Sequence, residues 1–330
     1  MKVKFISRSP GTGHSLEMLF KSVADEYNKH SLINSTFITL PYISKNLYKV
    51  WRNLLFVWKQ RTELVHITGD VHYVALAIKS HKTVLTIADC VLLNRTSKTS
   101  IRFYVFWLLW YYWPIRKSGI VTAISCKTKQ ELYQYVGKLA NKVVVIPCSY
   151  APVFHYHAKS FNTDKPLLLQ IGTAPHKNLH RLVEAIAGLP CQLIIVGKIT
   201  DSEISHLANH NIDYCSYAGI NQEEIVRLYG QCDMVMFVSL YEGFGVPILE
   251  AQAVGRPVIT SNRSPMIEVG GEGACYVDPT DVGAIREGVL RVWHDSAYRT
   301  NLIRHGLKNV QSYTVESVAA QYAELYARLK

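Results

Sequence analysis

Two carboxylates flank a glycine-rich turn in Tyr241-Glu242-Gly243-Phe244-Gly245-Val246-Pro247-Ile248-Leu249-Glu250. Pro247 stands where a first-turn helical residue needs no N–H, so a helix should open there, with the amides of Phe244, Gly245 and Val246 turned toward an anion. A carboxylate accepts two hydroxyls at once, which suits the diol of a ribose or hexose. Glu242 in the loop and Glu250 inside the helix therefore fit a sugar and a phosphate together. A surface Glu and a dipole-favoured Glu near a helix start are the plain alternatives. Earlier in the chain, Gly172-Thr173-Ala174-Pro175-His176-Lys177 reads as a second strand-to-helix turn. Lys177 there would be a point charge beside helix N–H groups, which suits a diphosphate.

Such turns have to be held by strands and helices. In the first half, short apolar runs (3–7, 64–68, 83–87, 119–125, 142–147) alternate with helical patterns, beginning with 15–28. In the second half, runs at 166–172, 192–197, 234–239 and 256–261 alternate with helical stretches at 178–188, 202–209 and 221–231. That order predicts an α/β fold of two Rossmann-like, doubly wound parallel-sheet domains that bind ligand in the cleft at the carboxyl ends of their strands. The aperiodic, proline-bearing stretch 150–166 is the expected linker. The domains are placed at 1–158 and 159–312, with 313–330 a helix packing back on the first.

At 330 residues, 48% hydrophobic and 18% charged, the chain has the composition of a globular protein large enough for two domains. Seven scattered Cys without a Cys-x-x-Cys suggest neither a disulfide framework nor a zinc site, and fit a reducing cytoplasm. The N-terminus enters a strand directly and shows no leader pattern. The longest apolar run, 103–115, is shorter than the ~20 residues of a spanning helix. Charge is uneven: residues 1–160 hold 22 Lys+Arg against 7 Asp+Glu, and 161–330 hold 14 against 18. Partners of two kinds follow from that asymmetry. Segments 45–61 and 102–117 mix cations with Trp and Tyr as helices at an anionic membrane surface do, although a buried aromatic helix with solvated flanks fits 103–115 as well. No recognition motif accompanies the charge, so nucleic acid is not expected.

The pattern Tyr-Glu-Gly-Phe-Gly-x-Pro-x-x-Glu-Ala-x-Ala-x-Gly-x-Pro-Val-Ile resembles the signature of family 4 retaining glycosyltransferases of the GT-B fold. The stretches 168–182, 193–197, 232–239 and 268–279 resemble successive elements of the same family, so the likeness runs through 166–330. The N-terminal half matches mainly in layout. The resemblance implies a nucleotide-sugar donor, UDP- or GDP-linked, no separate cofactor and no required metal; no two Asp residues lie two apart, as a metal-binding Asp-x-Asp would need. It implies Glu250 on the ribose, Glu242 at the donor sugar, Lys177 on the diphosphate with Gly172 in its turn, the turn at Gly243 on the phosphates, and the nucleobase near Ala218 and Gly219.

Two departures from the family pattern stand out. Many relatives carry an Arg shortly before the Lys; here Thr173 or His176 is left to fill that place. Where the family often has His-Asp after a first-domain strand, this chain has Ala88-Asp89. Asp89 is then a catalytic candidate on a sugar hydroxyl, or a loop Asp capping its own backbone. His14, in a turn with Gly11 and Gly13, is a substitute for the missing histidine. The expected function is transfer of a sugar to a lipid-linked or oligosaccharide acceptor, a polyprenyl-diphosphate-linked glycan above all, at the inner face of a bacterial plasma membrane. A catalytically silent nucleotide-sugar-binding subunit and a GT-B epimerase are the alternatives.

Overall fold

The computed structural model describes residues 1–9, 15–30, 33–60 and 63–329. They form two compact units, Met1–Ser149 with Val315–Lys330, and Tyr150–Thr314. Gly11, Gly13 and His14 lie outside the described residues.

The first unit is a six-stranded parallel sheet: β1 Lys2–Ser7, β2 Asn34–Thr39, β3 Leu64–Ile67, β4 Thr83–Ile87, β5 Ile120–Ala123 and β6 Val143–Val145, in the order β2-β1-β3-β4-β5-β6. β4 is buried along its length, as its unbroken apolar run requires of a strand covered on both faces. β2 has no clear apolar run in the sequence: it is an edge strand of mixed polarity with only Ser35 of its six residues buried. The run 101–117 folds as helix Ile101–Phe106, a π-helical stretch Trp107–Tyr112 and helix Trp113–Lys117. Within it Phe103, Trp110, Tyr111 and Ile115 are core, as a buried aromatic helix requires, while Ile101, Tyr104, Leu108 and Trp113 are exposed.

The second unit has β7 Leu167–Ile171, β8 Gln192–Val196, β9 Asp213–Tyr217, β10 Met234–Phe237, β11 Val258–Ser261 and β12 Ala274–Val277, all parallel, in the order β12-β11-β10-β7-β8-β9. The chain leaves β7 in one direction across the sheet to β8 and β9, then returns to lay β10 on the other side of β7. Strand order therefore reverses between β7 and β10, and the loops leaving these neighbours open side by side.

A buried polar chain locks the C-terminal helix Val315–Ala327 into the first unit. Thr122 Oγ1 meets Thr86 Oγ1 at 2.7 Å, Thr86 Oγ1 meets His66 Nε2 at 2.7 Å, and His66 Nδ1 meets the Tyr326 hydroxyl at 2.6 Å. Tyr27 donates to the Ala319 carbonyl at 2.7 Å from the adjoining helix Ser15–Lys29. The first boundary falls at Ser149 and Tyr150 rather than at 158. His157 N–H donates to the Val254 carbonyl, Arg256 to the His157 carbonyl, and the Phe154 ring meets Tyr229, so 150–158 is held by the second unit.

Burial drives the His66 imidazole down to about 3 and the buried His72 down to about 4. Both are neutral when folded, and an unfolded His takes its proton near ~6.5. Below that pH the unfolded chain binds more protons than the folded one, so stability falls as pH drops from about 6.5 toward 4, by at most ~1.4 kcal/mol per pH unit for each histidine. Urea denaturation followed across this range should show the loss, and His66→Gln should make the dependence on pH shallower.

Candidate functional site

Lys177 and Glu242 come from the two loops at the reversal point, after β7 and after β10. Lys177 Nζ donates to Glu242 Oε1 at 2.6 Å, with the side chains only 18% and 14% exposed. Nζ also lies 4.7 Å from the centre of the Phe237 ring. An ammonium has three N–H groups. One is used by Glu242, leaving donors for a second anion. The loop fits around this lysine because Gly172 has φ +88°, and a Cβ on it would come within 3.1 Å of Lys177 Cε and Cγ. The stem of Lys177 therefore lies across the space that the missing side chain opens.

Buried amides hold the loop from beneath. Gln170, fully buried in β7, donates to the carbonyls of Gly172 and Lys177 at 3.2 and 3.1 Å. Asn178, buried with φ +64°, donates to Val238 O at 3.0 Å and Pro279 O at 2.6 Å. Leu240 N–H reaches the His176 carbonyl at 2.7 Å. The β7 loop is thus tied to the exit of β10 at several points. None of this positioning set was named from the sequence, though Gln170 inside the apolar run Leu-Leu-Leu-Gln-Ile carried a signal: a polar residue in a buried strand must have partners.

Glu250 lies in the helix Val246–Val254, opened by Gly245 at φ +128° with Pro247 in its first turn. The Phe244 ring is buried near Tyr313, so only its backbone is placed to act on a ligand. Tyr229 is buried and donates its hydroxyl to Glu250 Oε2 at 2.7 Å. Sheltering by protein raises the Glu250 carboxyl to about 7, against the lowering pull of the Tyr229 hydroxyl and the Lys177 charge. Lys177 thus pairs directly with Glu242, and its charge also acts on Glu250.

Other expected residues are placed differently. Thr173 Oγ1 donates to the Lys198 carbonyl at 2.7 Å, so its one proton is committed to the turn after β8 and not to an anion. Lys198 itself is exposed at the same place, a cation that spacing within a single loop did not disclose. His176 is half-buried beside Lys177. Ala218 and Gly219 form an exposed loop after the edge strand β9, before the capped helix Gln222–Gln231. Asp89, in the first unit, accepts the Val91 N–H at 2.9 Å, the local capping described above, while also lining a hollow there. Among the described residues no group of three His, Cys, Asp or Glu is arranged to hold a metal ion.

Residues 155–309 match the family model described as glycosyl transferases group 1. The O-antigen chain mannosyltransferase B of Escherichia coli is 32% identical over 175 residues, covering 49% of this chain and 45% of that protein. The chain thus spans less than half the length of that curated relative. Among solved structures, sucrose-phosphate synthase from Thermosynechococcus elongatus is similar with TM-score 0.78 at 18% identity over 99% of this chain and 98% of that one. Anabaena HepE in complex with UDP and glucose is similar with TM-score 0.76 at 18% identity over 99% of each chain. The fold is GT-B, built from two Rossmann-like domains.

Tyr229→Phe should raise the Glu250 carboxyl further, because burial remains while a stabilising donor is lost. A hydrogen bond to a charged group is worth ~1.5–3 kcal/mol, or roughly one to two pH units. Carbon-13 NMR titration of labelled glutamate carboxyls should find Glu250 near 7 in the parent protein and higher in the variant.

Proposed function

We propose that the chain is a retaining, family 4 glycosyltransferase that moves a sugar from a UDP- or GDP-linked donor to an acceptor in bacterial cell-surface polysaccharide assembly. The observation that carries this reading is the Lys177–Glu242 pair at the strand-order reversal of the second unit, with Glu250 coupled to the same lysine. The name of the E. coli relative supports a mannosyl donor, and the ligands of the HepE complex support UDP and a hexose.

In this reading Glu250 takes the ribose hydroxyls, and the turn at Gly243–Val246 faces the diphosphate with its amides. Lys177 keeps one N–H on Glu242 and turns the others to the phosphates. The bond from the sugar's anomeric carbon to the phosphate oxygen breaks while the acceptor oxygen bonds to that carbon from the same face. The acceptor's proton passes to the departing phosphate. Negative charge grows on the diphosphate as it leaves, and Lys177 meets it in a sheltered site where such an interaction is strong. Glu242, held by Lys177, steadies the positive character of the sugar. Lys198 takes the part expected of a second cation, with His176 beside it; Asp89 stands on the acceptor side.

The acceptor is proposed to be lipid-linked, at the inner face of the plasma membrane. On the helix Leu47–Lys59, Leu47, Trp51, Leu55 and Trp58 are exposed along one stripe, with Lys45, Arg52 and Lys59 exposed around it. That is an amphipathic surface suited to an anionic leaflet. No helix among the described residues is long and apolar enough to cross a membrane.

Lys177→Ala and Glu242→Gln should each lower kcat by about 10²–10³-fold. The assay is nucleoside diphosphate release with a panel of UDP- and GDP-sugars and lipid-linked glycans, and EDTA should leave the parent rate unchanged. Unaltered transfer by both variants would sink the assignment. In vesicle flotation the protein should bind anionic vesicles and not neutral ones, and Trp51→Glu with Trp58→Glu should abolish binding.

A further inference from the structure

The first unit contains two hollows that share a wall. One, of about 450 Å³, is lined by Arg8, Asp70, His72, Asp89, Arg95 and Arg102 among others. The second, of about 680 Å³, is lined by Ile43, Leu47, Val50, Val105, Phe106 and Trp110 beside polar groups that include Lys45. Arg8, Asp70, Leu92 and Arg102 line both, so a charged chamber continues into a largely apolar groove.

Charge at the polar end is unbalanced toward the positive. Among the described residues, neither Arg8, Arg95 nor Arg102 lies within ion-pair distance of a carboxylate; the Arg102 guanidinium rests instead 5.1 Å over the Phe106 ring. Arginine suits phosphate through its planar fork of N–H donors. Asp70 is open to solvent on the chamber side, yet the surrounding protein and then Asp89 raise its carboxyl to about 6, while Arg8 draws it down. Two acidic groups so placed can take sugar hydroxyls beside a phosphate. The groove's size lies within the ~300–1,000 Å³ of small-molecule sites, which favours a single chain over a protein partner.

We propose that these two hollows are one site for an amphiphilic anion: the phosphate or diphosphate of a lipid sits among Arg8, Arg95 and Arg102, and its apolar chain runs between the helix Leu47–Lys59 and the run 101–110. Serving as the acceptor rests on the transferase reading; binding does not. The site would then select its acceptor by the lipid-phosphate junction, with Asp70 and Asp89 next to the sugar that follows it.

Farnesyl diphosphate is a suitable probe, titrated calorimetrically into the whole protein alongside pyrophosphate and farnesol. Farnesyl diphosphate should bind at least tenfold more tightly than either. Arg8→Ala combined with Arg102→Ala should weaken it about tenfold or more with farnesol unchanged, and Val105→Asp should reduce it to the level of pyrophosphate. Lys177→Ala should leave it unchanged, which separates this site from the diphosphate-binding turn of the second unit; circular dichroism checks that each variant is folded. Equal binding of farnesyl diphosphate and pyrophosphate, equal binding of farnesyl diphosphate and farnesol, or loss in Lys177→Ala would each overturn the proposal. Donor binding on the same samples tests the other reading. Lipid diphosphate without nucleotide sugar defeats the transferase and leaves this site standing, and the reverse defeats only this site.

Discussion

A lysine donates to a glutamate 65 positions away in an ion-paired hydrogen bond of 2.6 Å, and the second unit is organised so that they can meet. Each stands in a loop, where a long side chain would ordinarily wander in solvent. Here both are mostly sheltered, and a sheltered charge must be paired. The pair forms because the sheet runs β7 to β9 on one side and resumes with β10 on the other, so two loops distant in sequence leave neighbouring strands. Gln170 and Asn178 then fix the β7 loop through its own carbonyls, those of the β10 exit and that of Pro279. A site set this way meets the charge of a leaving group with little rearrangement.

The same rule, that a polar group out of water needs a partner, accounts for features outside the pair. Glu250 is kept within reach of neutral pH by opposing effects: protein around it favours the acid, and Tyr229 with Lys177 favours the carboxylate. In the first unit, His66 is neutral and used on both ring nitrogens, which turns the C-terminal helix into part of that domain's core. Each unit thus has a polar network built into an apolar interior, one serving a site and the other the architecture. Networks of this kind are strong when fully satisfied and costly to break.

The first unit's surplus of cations gains a meaning once it is folded. In sequence, 45–61 and 102–117 look like two similar basic aromatic segments. In the structure each divides between core and solvent, and residues of both line the groove that opens into the chamber at Arg8. Asp70 and Arg8 attracted no notice in the chain, because a single Asp after a strand and a single Arg before a loop have no distinguishing local pattern. They matter only because β1 and β3 are adjacent in the sheet and bring their ends together.

By itself the sequence determined the alternation of strands and helices, the two-domain α/β class, and Lys177, Glu242 and Glu250 as candidate site residues. These are local properties: periodicity, glycine turns and a proline at a helix start act within a few residues of themselves. Tertiary structure decided which groups meet. It joined Lys177 to Glu242, set Tyr229 on Glu250, spent the Thr173 proton on the Lys198 carbonyl and gave Asp89 a capping role beside its place in the hollow. The reason is physical: a partner's identity depends on strand order and on which polar groups are left without water, and neither is encoded in any single stretch of chain.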